Sequence, residues 1–599
     1  MKQVCTIISI FFGLFLYSQT PFVNITKQAG IEHQFIVYEG MFGGGVCAFD
    51  VNNDGYDDLY ITGGNSNDML YLNQRNGTFK NILEGSGLEV TKHFVTQGVI
   101  SADINKDHLT DLYITTITSR DSIQIVPRAM NLLFLNLGNN KFKDVTKEYR
   151  LDKFVSFSAG ANFGDVNCDG YPDLYVGNYF QDFQGQLKEI NDATIVNANR
   201  TAYGYLLINH KGKYFTNEYT RYGLTHKGFG FGGVFTDYDN DNDQDLFVNQ
   251  DFGYKAIPDF LFNNQYPIRK LKDVSDSTNM DLKINSMGTA VGDYDNDGDM
   301  DYYITNIRFN YFMVNNGVTK PFQNRAGELG MHYLTISWGA NFADFDHDGD
   351  IDLFVSNGDL NPNCVPMADF YFKNENYTFV ESARAVGLAD YGIGRGSATF
   401  DLENDGDLDL IVVNQKPLYD YPVSSITNLY RNDSSSGNWL QIKLKGNTSE
   451  SRGLGSRIEV YYAGRKLIRE VDGGGSSHIS QNTSVVHFGI DSSLYVDSIV
   501  VRWSGKNPQY LGKTKSNQII EIEQLEKDPK SVPGILVVGC AIAILTALGF
   551  SIWKMNTKNK KSPLKIQKAL IIKRSEAESN RCTRFCRPLP DRSATRPFL

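Results

Sequence analysis

Seven cysteines in 599 residues are too few and too scattered for a disulfide framework. Cys5 falls in an apolar leader and Cys540 in a second apolar run near the other end. Cys582 and Cys586 sit in a basic tail, where a lone pair at that spacing is weak ground for zinc. Cys47, Cys168 and Cys364 remain, an odd set expected as small buried or loop residues. Histidine is scarce too, at nine; the sequence offers no His-rich metal cluster and no nucleophile motif, so it is not read as an enzyme. Positive charge is missing from most of the chain. The net charge is −11, yet residues 554–599 hold 13 Lys/Arg against three Asp/Glu, leaving about −21 before them. An acidic body of that size repels polyphosphate, which argues against nucleic acid as a partner.

Long hydrophobic runs are limited to two. After Lys2, Ile7 to Tyr17 is apolar and Ser18-Gln19-Thr20 is a plausible processing region, so residues 1–19 read as a secretory signal. No small residue precedes Cys5 in a lipobox, which argues against a lipoprotein. The second run, Val532 to Trp553, has 22 residues without a charge. At ~1.5 Å per residue it is long enough to span hydrocarbon. Lys554, Lys558, Lys560 and Lys561 follow at once and place the tail 554–599 on the cytoplasmic side. The expected location is a membrane, crossed once, with the N-terminal bulk outside.

What the chain has in abundance is an internal repeat, the feature to be sought first. A nine-residue acidic pattern occurs seven times: DVNNDGYDD from Asp50, DINKDHLTD from Asp103, DVNCDGYPD from Asp165, DYDNDNDQD from Asp237, DYDNDGDMD from Asp293, DFDHDGDID from Asp344 and DLENDGDLD from Asp401. The mean spacing is about 58 residues. Each pattern is followed by an apolar strand and by a short strand ending in Asn, at Asn73, Asn136, Asn209, Asn264, Asn316, Asn374 and Asn432. An F-x-x-V-T type segment keeps step, beginning at Phe22, Phe79, Phe142, Phe215, Leu271, Phe322 and Phe379. Four short antiparallel strands repeated radially make a propeller blade. The expected fold is all-β: a seven-bladed β-propeller over residues 20–432. The first F-x-x-V-T segment precedes every acidic loop, and none follows Asn432. The N-terminal strand, Phe22 to Thr26, is therefore expected to complete the last blade beside Asn428 to Asn432.

Oxygen side chains at positions 1, 3, 5 and 9 of a tight turn converge on one point, as a hard cation such as Ca²⁺ requires. The candidate ligands are Asp50, Asn52, Asp54 and Asp58; Asp103, Asn105, Asp107 and Asp111; Asp165, Asn167, Asp169 and Asp173; and Asp237, Asp239, Asp241 and Asp245. The remaining loops offer Asp293, Asp295, Asp297 and Asp301; Asp344, Asp346, Asp348 and Asp352; and Asp401, Glu403, Asp405 and Asp409. Gly at position 6 in five loops permits the sharp bend; His108 and Asn242 stand there in loops two and four, the weaker two. Asp, Asn and Gly are also ordinary turn formers, but seven such loops in register favour structural Ca²⁺ staples.

These repeats resemble the FG-GAP/VCBS repeats of integrin α-chain propellers and bacterial surface proteins. The stretch beyond them carries NWLQIKLKG from Asn438, RGLGSRIEVYYAGRKLIREVDGGGS from Arg452, HFGI from His487, VDSIVVRW from Val496 and NQIIEI from Asn517. It is similar to the ASPIC/UnbV domain of cartilage acidic protein and its bacterial relatives. The resemblance implies calcium-binding extracellular proteins with matrix or cell-surface roles and carries over no catalytic residue. By pattern alone, 438–524 alternates apolar and polar residues in short runs and reads as a small β-sandwich. Gly473-Gly474-Gly475 reads as a tight hairpin turn, and Arg452 and His478 as structural residues before ligand contacts.

Function follows at the level of class. A calcium-stabilised extracellular binding or adhesion protein, with a protein or glycan ligand, is favoured. A propeller enzyme acting on polysaccharide and a surface receptor are the alternatives. The loops between second and third strands lie opposite the acidic loops and vary in length, and variable loops on a rigid scaffold carry binding. The longest, Asn178 to Tyr203 with Tyr179, Phe180 and Phe183, is the expected contact region.

Overall fold

The computed structural model of the protein describes residues 21–36, 43–120, 129–180, 201–360, 365–434, 437–475 and 477–525. The signal, the apolar run 532–553, the basic tail, Cys364 and most of the 178–203 loop lie outside them. Among the described residues no helix is long and apolar enough to cross a membrane.

Up to Asn432 the described residues form seven antiparallel sheets of four strands, two of them with one extra strand. In the first sheet, Val46–Phe49, Asp58–Ile61, Met69–Asn73 and Phe79–Asn81 pair in that order. The first strands of the other sheets are Phe94–Ala102, Val155–Gly164, Phe229–Thr236, Thr289–Gly292, Thr335–Ala343 and Gly394–Phe400. Each lies against the first strand of the next sheet, and the seventh against the first. Nearly every side chain of these strands is buried, as in sheets covered on both faces. An apolar cluster fills each gap between neighbours: Phe49, Leu112 and Phe134 between sheets one and two, for example, and Phe354, Tyr371 and Leu410 between six and seven. This is a propeller-like ring without a free inner edge.

The N-terminal strand closes it. Phe22–Asn24 pairs antiparallel with Asn428–Asn432 in the register Phe22↔Asn432, Val23↔Arg431 and Asn24↔Tyr430, as the outer strand of the seventh sheet. Phe22 is buried edge-on against Phe345, with ring centroids 5.4 Å apart.

The Asn at the end of each third strand explains its own recurrence. Its backbone N–H donates to Oδ1 of the position 9 Asp in its own sheet, at 2.7–2.8 Å in all seven repeats, from Asn73 on Asp58 to Asn432 on Asp409. Its side-chain Nδ2 donates to the position 2 carbonyl of the preceding repeat, 2.8–3.0 Å away. Asn73 reaches Leu402, so the chain of stitches is cyclic. In the fifth repeat Asn315, not the following Asn316, makes both bonds.

From Trp439 to Glu523 a second core forms between a three-stranded and a four-stranded sheet. Trp439–Lys445 lies between Val486–Gly489 and Ile519–Glu523, and Arg457–Tyr462 between Arg465–Glu470 and Ser498–Arg502. Leu440, Ile442, Ile458, Val460, Phe488, Val501 and Trp503 fill the space between them, a small sandwich as the alternation implies.

Candidate functional site: acidic loops under a plugged cap

The seven acidic loops share one hydrogen-bond pattern. The position 1 carboxylate accepts the N–H of position 6 in every loop, from Gly55 on Asp50 at 2.8 Å to Gly406 on Asp401 at 2.8 Å. The position 5 carboxylate accepts the N–H of position 7 in every loop, from Tyr56 on Asp54 to Asp407 on Asp405. Each turn is therefore shaped by its own acids, while some of the remaining oxygens meet neighbours outside the loop, such as Arg75 on Asp54 and Lys373 on Asp346. His108 and Asn242 adopt the left-handed backbone, at φ 67° and 74°, that Gly takes in the other loops. Asn and His both tolerate that region better than most residues.

Three loops gather carboxylates most tightly. Oxygens of Asp237, Asp239 and Asp245, of Asp293, Asp295 and Asp297, and of Asp344, Asp346 and Asp348 each lie within 4.8 Å of one another. In loops one to three position 3 is Asn52, Asn105 or Asn167, so fewer carboxylates can gather there. Burial lifts the position 1 carboxyl to about 7 in Asp165, Asp237 and Asp293, about 8 in Asp344 and about 6 in Asp401. Burial likewise raises the position 9 carboxyls, Asp58 to about 8. Asp293 and Asp344 each keep a buried Oδ1 without a hydrogen-bond partner. A buried acceptor of that kind is costly unless a proton or cation reaches it. An oxygen-only donor set with orphaned buried oxygens fits Ca²⁺. Asp237, Asp239, Asp245, Asp293, Asp295, Asp297, Asp344, Asp346 and Asp348 would hold it most directly.

The C-terminal domain covers the acidic-loop end of the ring. Ser451 Oγ donates to Asp103 Oδ2 at 2.6 Å and Gln441 Nε2 to Asp401 Oδ2 at 2.7 Å. Arg465 pairs with Asp350 and donates to the Asp348 carbonyl; Asn242 donates to the Trp503 carbonyl; Lys506 reaches the Cys168 carbonyl. Arg457, almost wholly buried, bridges Glu470 and the Asp237 carbonyl. Arg469 lines the same cavity as Asp344, and the charges of Asp344 and Asp293 favour its ionised form against the cost of desolvation. Arg452 contacts loop one through the Asn53 side chain.

Residues 472–475 and 477–482 do turn back tightly, as the Gly triplet implies: the Gly475 N–H donates to the Ser480 carbonyl at 2.9 Å, and Ser477 and Ser480 form a bridge. The turn lies in the middle of the ring, however, and touches all seven sheets. The Gly473 carbonyl accepts the Phe163 N–H, and a Cβ on Gly475 would stand 2.6 Å from the Gly233 carbonyl oxygen. Ile479 O accepts the Val99 N–H, Gln481 exchanges backbone bonds with Val46 and Ala48, and His478 Nδ1 meets Met287 O at 3.2 Å. Asn482 Oδ1 accepts from Asn341 and Thr399, and Ser477 meets Ser397. Only glycine fits where backbone meets backbone this closely. Sequence pattern gave no sign of this plug, since it has no periodicity and its partners are mostly main-chain atoms. His478 packs against Phe231 and Trp338, with ring centroids 5.6 and 5.2 Å away. Burial lowers it to about 3, so it is neutral.

The expected binding aromatics divide. Tyr179 is buried, packed at a tilt against Phe157, Phe229 and Phe231, and bonded through its hydroxyl to Asp251 at 2.5 Å. It is a core residue, not a ligand contact. Phe183 lies outside the described residues.

Comparison with known proteins agrees with this architecture. Residues 50–114, 293–355 and 344–412 match the FG-GAP-like repeat, and residues 446–529 match the domain described as ASPIC and UnbV. Cartilage acidic protein 1 of Xenopus tropicalis is 23% identical over 485 residues, 77% of this chain and 70% of that protein. Among solved structures, an Agrocybe aegerita lectin specific for non-reducing terminal N-acetylglucosamine is similar at 15% identity, covering 66% of this chain and 82% of its own, with a TM-score of 0.26. The V. cholerae biofilm matrix protein Bap1 is similar at 10% identity, covering 82% and 83%, with a TM-score of 0.24. Superpositions this loose say nothing about ligand or activity. The chain thus carries FG-GAP-like repeats followed by an ASPIC and UnbV domain, and is distantly similar to cartilage acidic protein 1.

Proposed function

We propose that the protein is a calcium-stapled, seven-bladed propeller that works outside the cell as a binding or adhesion scaffold, tethered by the apolar run 532–553. The observation that carries this reading is the division of labour between the two ends of the ring. One end carries the acidic loops and is roofed by the C-terminal domain; the other carries the variable connections, which among the described residues are not roofed by that domain. The filled axis favours binding over an enzyme working in a central channel. Among the described residues its contents are Ile479, His478, Trp338, Phe231 and small polar groups; a cavity of about 140 Å³ beside it, under the cap, is lined by Asp344, Glu470 and Asp472 together with Arg469. The ligand class expected is an extracellular protein or glycan.

A cation that binds only the folded state stabilises it by mass action. Thermal melting of the full-length protein is expected to rise by several degrees from EDTA to millimolar Ca²⁺. Asp293→Ala and Asp344→Ala should each remove part of that rise, and Asp103→Ala less, since loop two gathers fewer carboxylates. Equal midpoints with and without calcium would refute the stapling.

A further inference from the structure

At the end of the ring opposite the acidic loops, a cleft of about 1110 Å³ lies against the seventh sheet. Three connections enclose it: the stretch after the N-terminal strand, the turn around Asp390, and the segment leading into Asn428–Asn432. The volume is on the scale of a small-molecule site, typically ~300–1,000 Å³. No residue of the C-terminal domain lines it.

Its floor is a continuous polar chain. Thr26 Oγ1 donates to Asn24 Oδ1 at 2.7 Å, and Asn24 Nδ2 to Asn428 Oδ1 at 3.1 Å. Asn428 Nδ2 and Asn414 Nδ2 both donate to Asp390 Oδ2 at 2.6 Å. Tyr430, almost wholly buried, lines the same cleft. The walls are apolar: Ile31 and Ala389, then Ile426, 41% exposed, and Tyr391, 53% exposed. These groups are held by the ring closure itself, because the strand that bears Asn24 is the one that completes the seventh sheet.

We propose that this cleft binds a short run of neutral pyranose units, with Tyr391 and Ile426 against the C–H face of a sugar and the Asn24–Asn428–Asp390 chain toward its hydroxyls. A pyranose has this two-sided character, and an exposed aromatic beside fixed amide and carboxylate groups matches it. An anionic ligand is disfavoured. The lining carries Asp390 and Glu32 against Lys27 alone, and His33, lowered to about 4 by burial, is uncharged. A quaternary ammonium needs several exposed aromatic faces, and Tyr391 is the one large exposed ring among the lining residues. The assignment deepens the scaffold reading above and rests on it.

The experiment is calorimetric titration of the full-length protein, in calcium, with maltotriose, cellotriose and mannotriose, beside sialyllactose and choline. At least one neutral trisaccharide should bind saturably below about 10 mM, with sialyllactose and choline silent. Tyr391→Ala should weaken that binding about tenfold or more, roughly the loss of one stacking contact, with an unchanged melting midpoint because the ring is largely exposed. Gln28→Ala, a second exposed lining residue, should weaken it less. Binding of choline or sialyllactose in place of the neutral sugars, or full affinity in Tyr391→Ala, overturns the proposal. Attachment of the protein to cell surfaces, measured alongside, separates the two readings. Attachment without trisaccharide binding removes the cleft and leaves the scaffold; loss of both removes both.

Discussion

A single asparagine per repeat does the work of joining one sheet to the next. Asn264 shows how: its N–H serves Asp245, while its Nδ2 serves the Val166 and Gln244 carbonyls. Asn264→Ala removes the side-chain bonds and leaves the buried Val166 carbonyl without a donor, so it should cost about 1–3 kcal/mol in urea unfolding. The loss should be the same in EDTA and in calcium; a loss seen only with calcium would make the residue part of the metal site. The recurrence of this Asn was legible in the sequence, but its purpose was not, because the second partner lies about a hundred residues upstream. A second residue-scale expectation concerns acid. His33 and His478 are buried neutral, lowered to about 4 and about 3. Between pH 6.5 and those values the unfolded chain takes up protons that the folded chain refuses, so their contribution to stability is full above pH 6.5 and falls as pH drops toward 3. The raised carboxyls act in the opposite sense, so the test is a difference. The pH profile of His478→Gln, subtracted from that of the parent, should slope only within this window, and a flat difference would place a charged imidazole in the fold.

At the scale of elements, the closing strand and the plug were unequally readable. The strand could be placed by counting, since seven F-x-x-V-T segments begin before the first acidic loop and stop before the last sheet is complete. The structure pairs Phe22 with Asn432 as that count requires. Phe22→Ala empties a site bounded by Phe345 and Tyr371 and should cost about 3–5 kcal/mol by large-to-small substitution in a core. Chemical denaturation reads it directly, and a loss below about 1 kcal/mol would mean the ring holds without its clasp. The plug could not be counted. Residues 472–482 are rich in Gly, Ser and Asn, a composition that signals a turn, and nothing in such a stretch distinguishes a surface hairpin from a segment threaded between seven strands. Tyr179 went astray for a related reason. Aromatic residues at a loop root look alike whether they face solvent or, as here, the gap between neighbouring sheets.

At the scale of the whole molecule, the metal loops and the cap form one system. The carboxylates proposed to hold calcium also position the C-terminal domain: Asp103 accepts from Ser451 and Asp401 from Gln441, while the charges of Asp344 and Asp293 favour the ionised form of Arg469. Two like charges ~5 Å apart repel by about 3 kcal/mol at an effective dielectric of 20. Calcium removal should therefore spread loops four, five and six and disturb the surface on which the cap rests. The plug is anchored at both ends in that cap, through Val471 and Val486 in its core, so loosening the cap should loosen the axis. Hydrogen exchange of the full-length protein in EDTA is expected to speed up first in 472–482 and in the acidic loops. The third strands, held by the asparagine stitches, should stay protected. Restoring calcium should restore protection in both regions together. If the loops speed up in EDTA while 472–482 keeps its protection, the plug is held by the ring strands alone, through bonds such as Val99 to Ile479 and Gln481 to Val46, and cap and metal are independent.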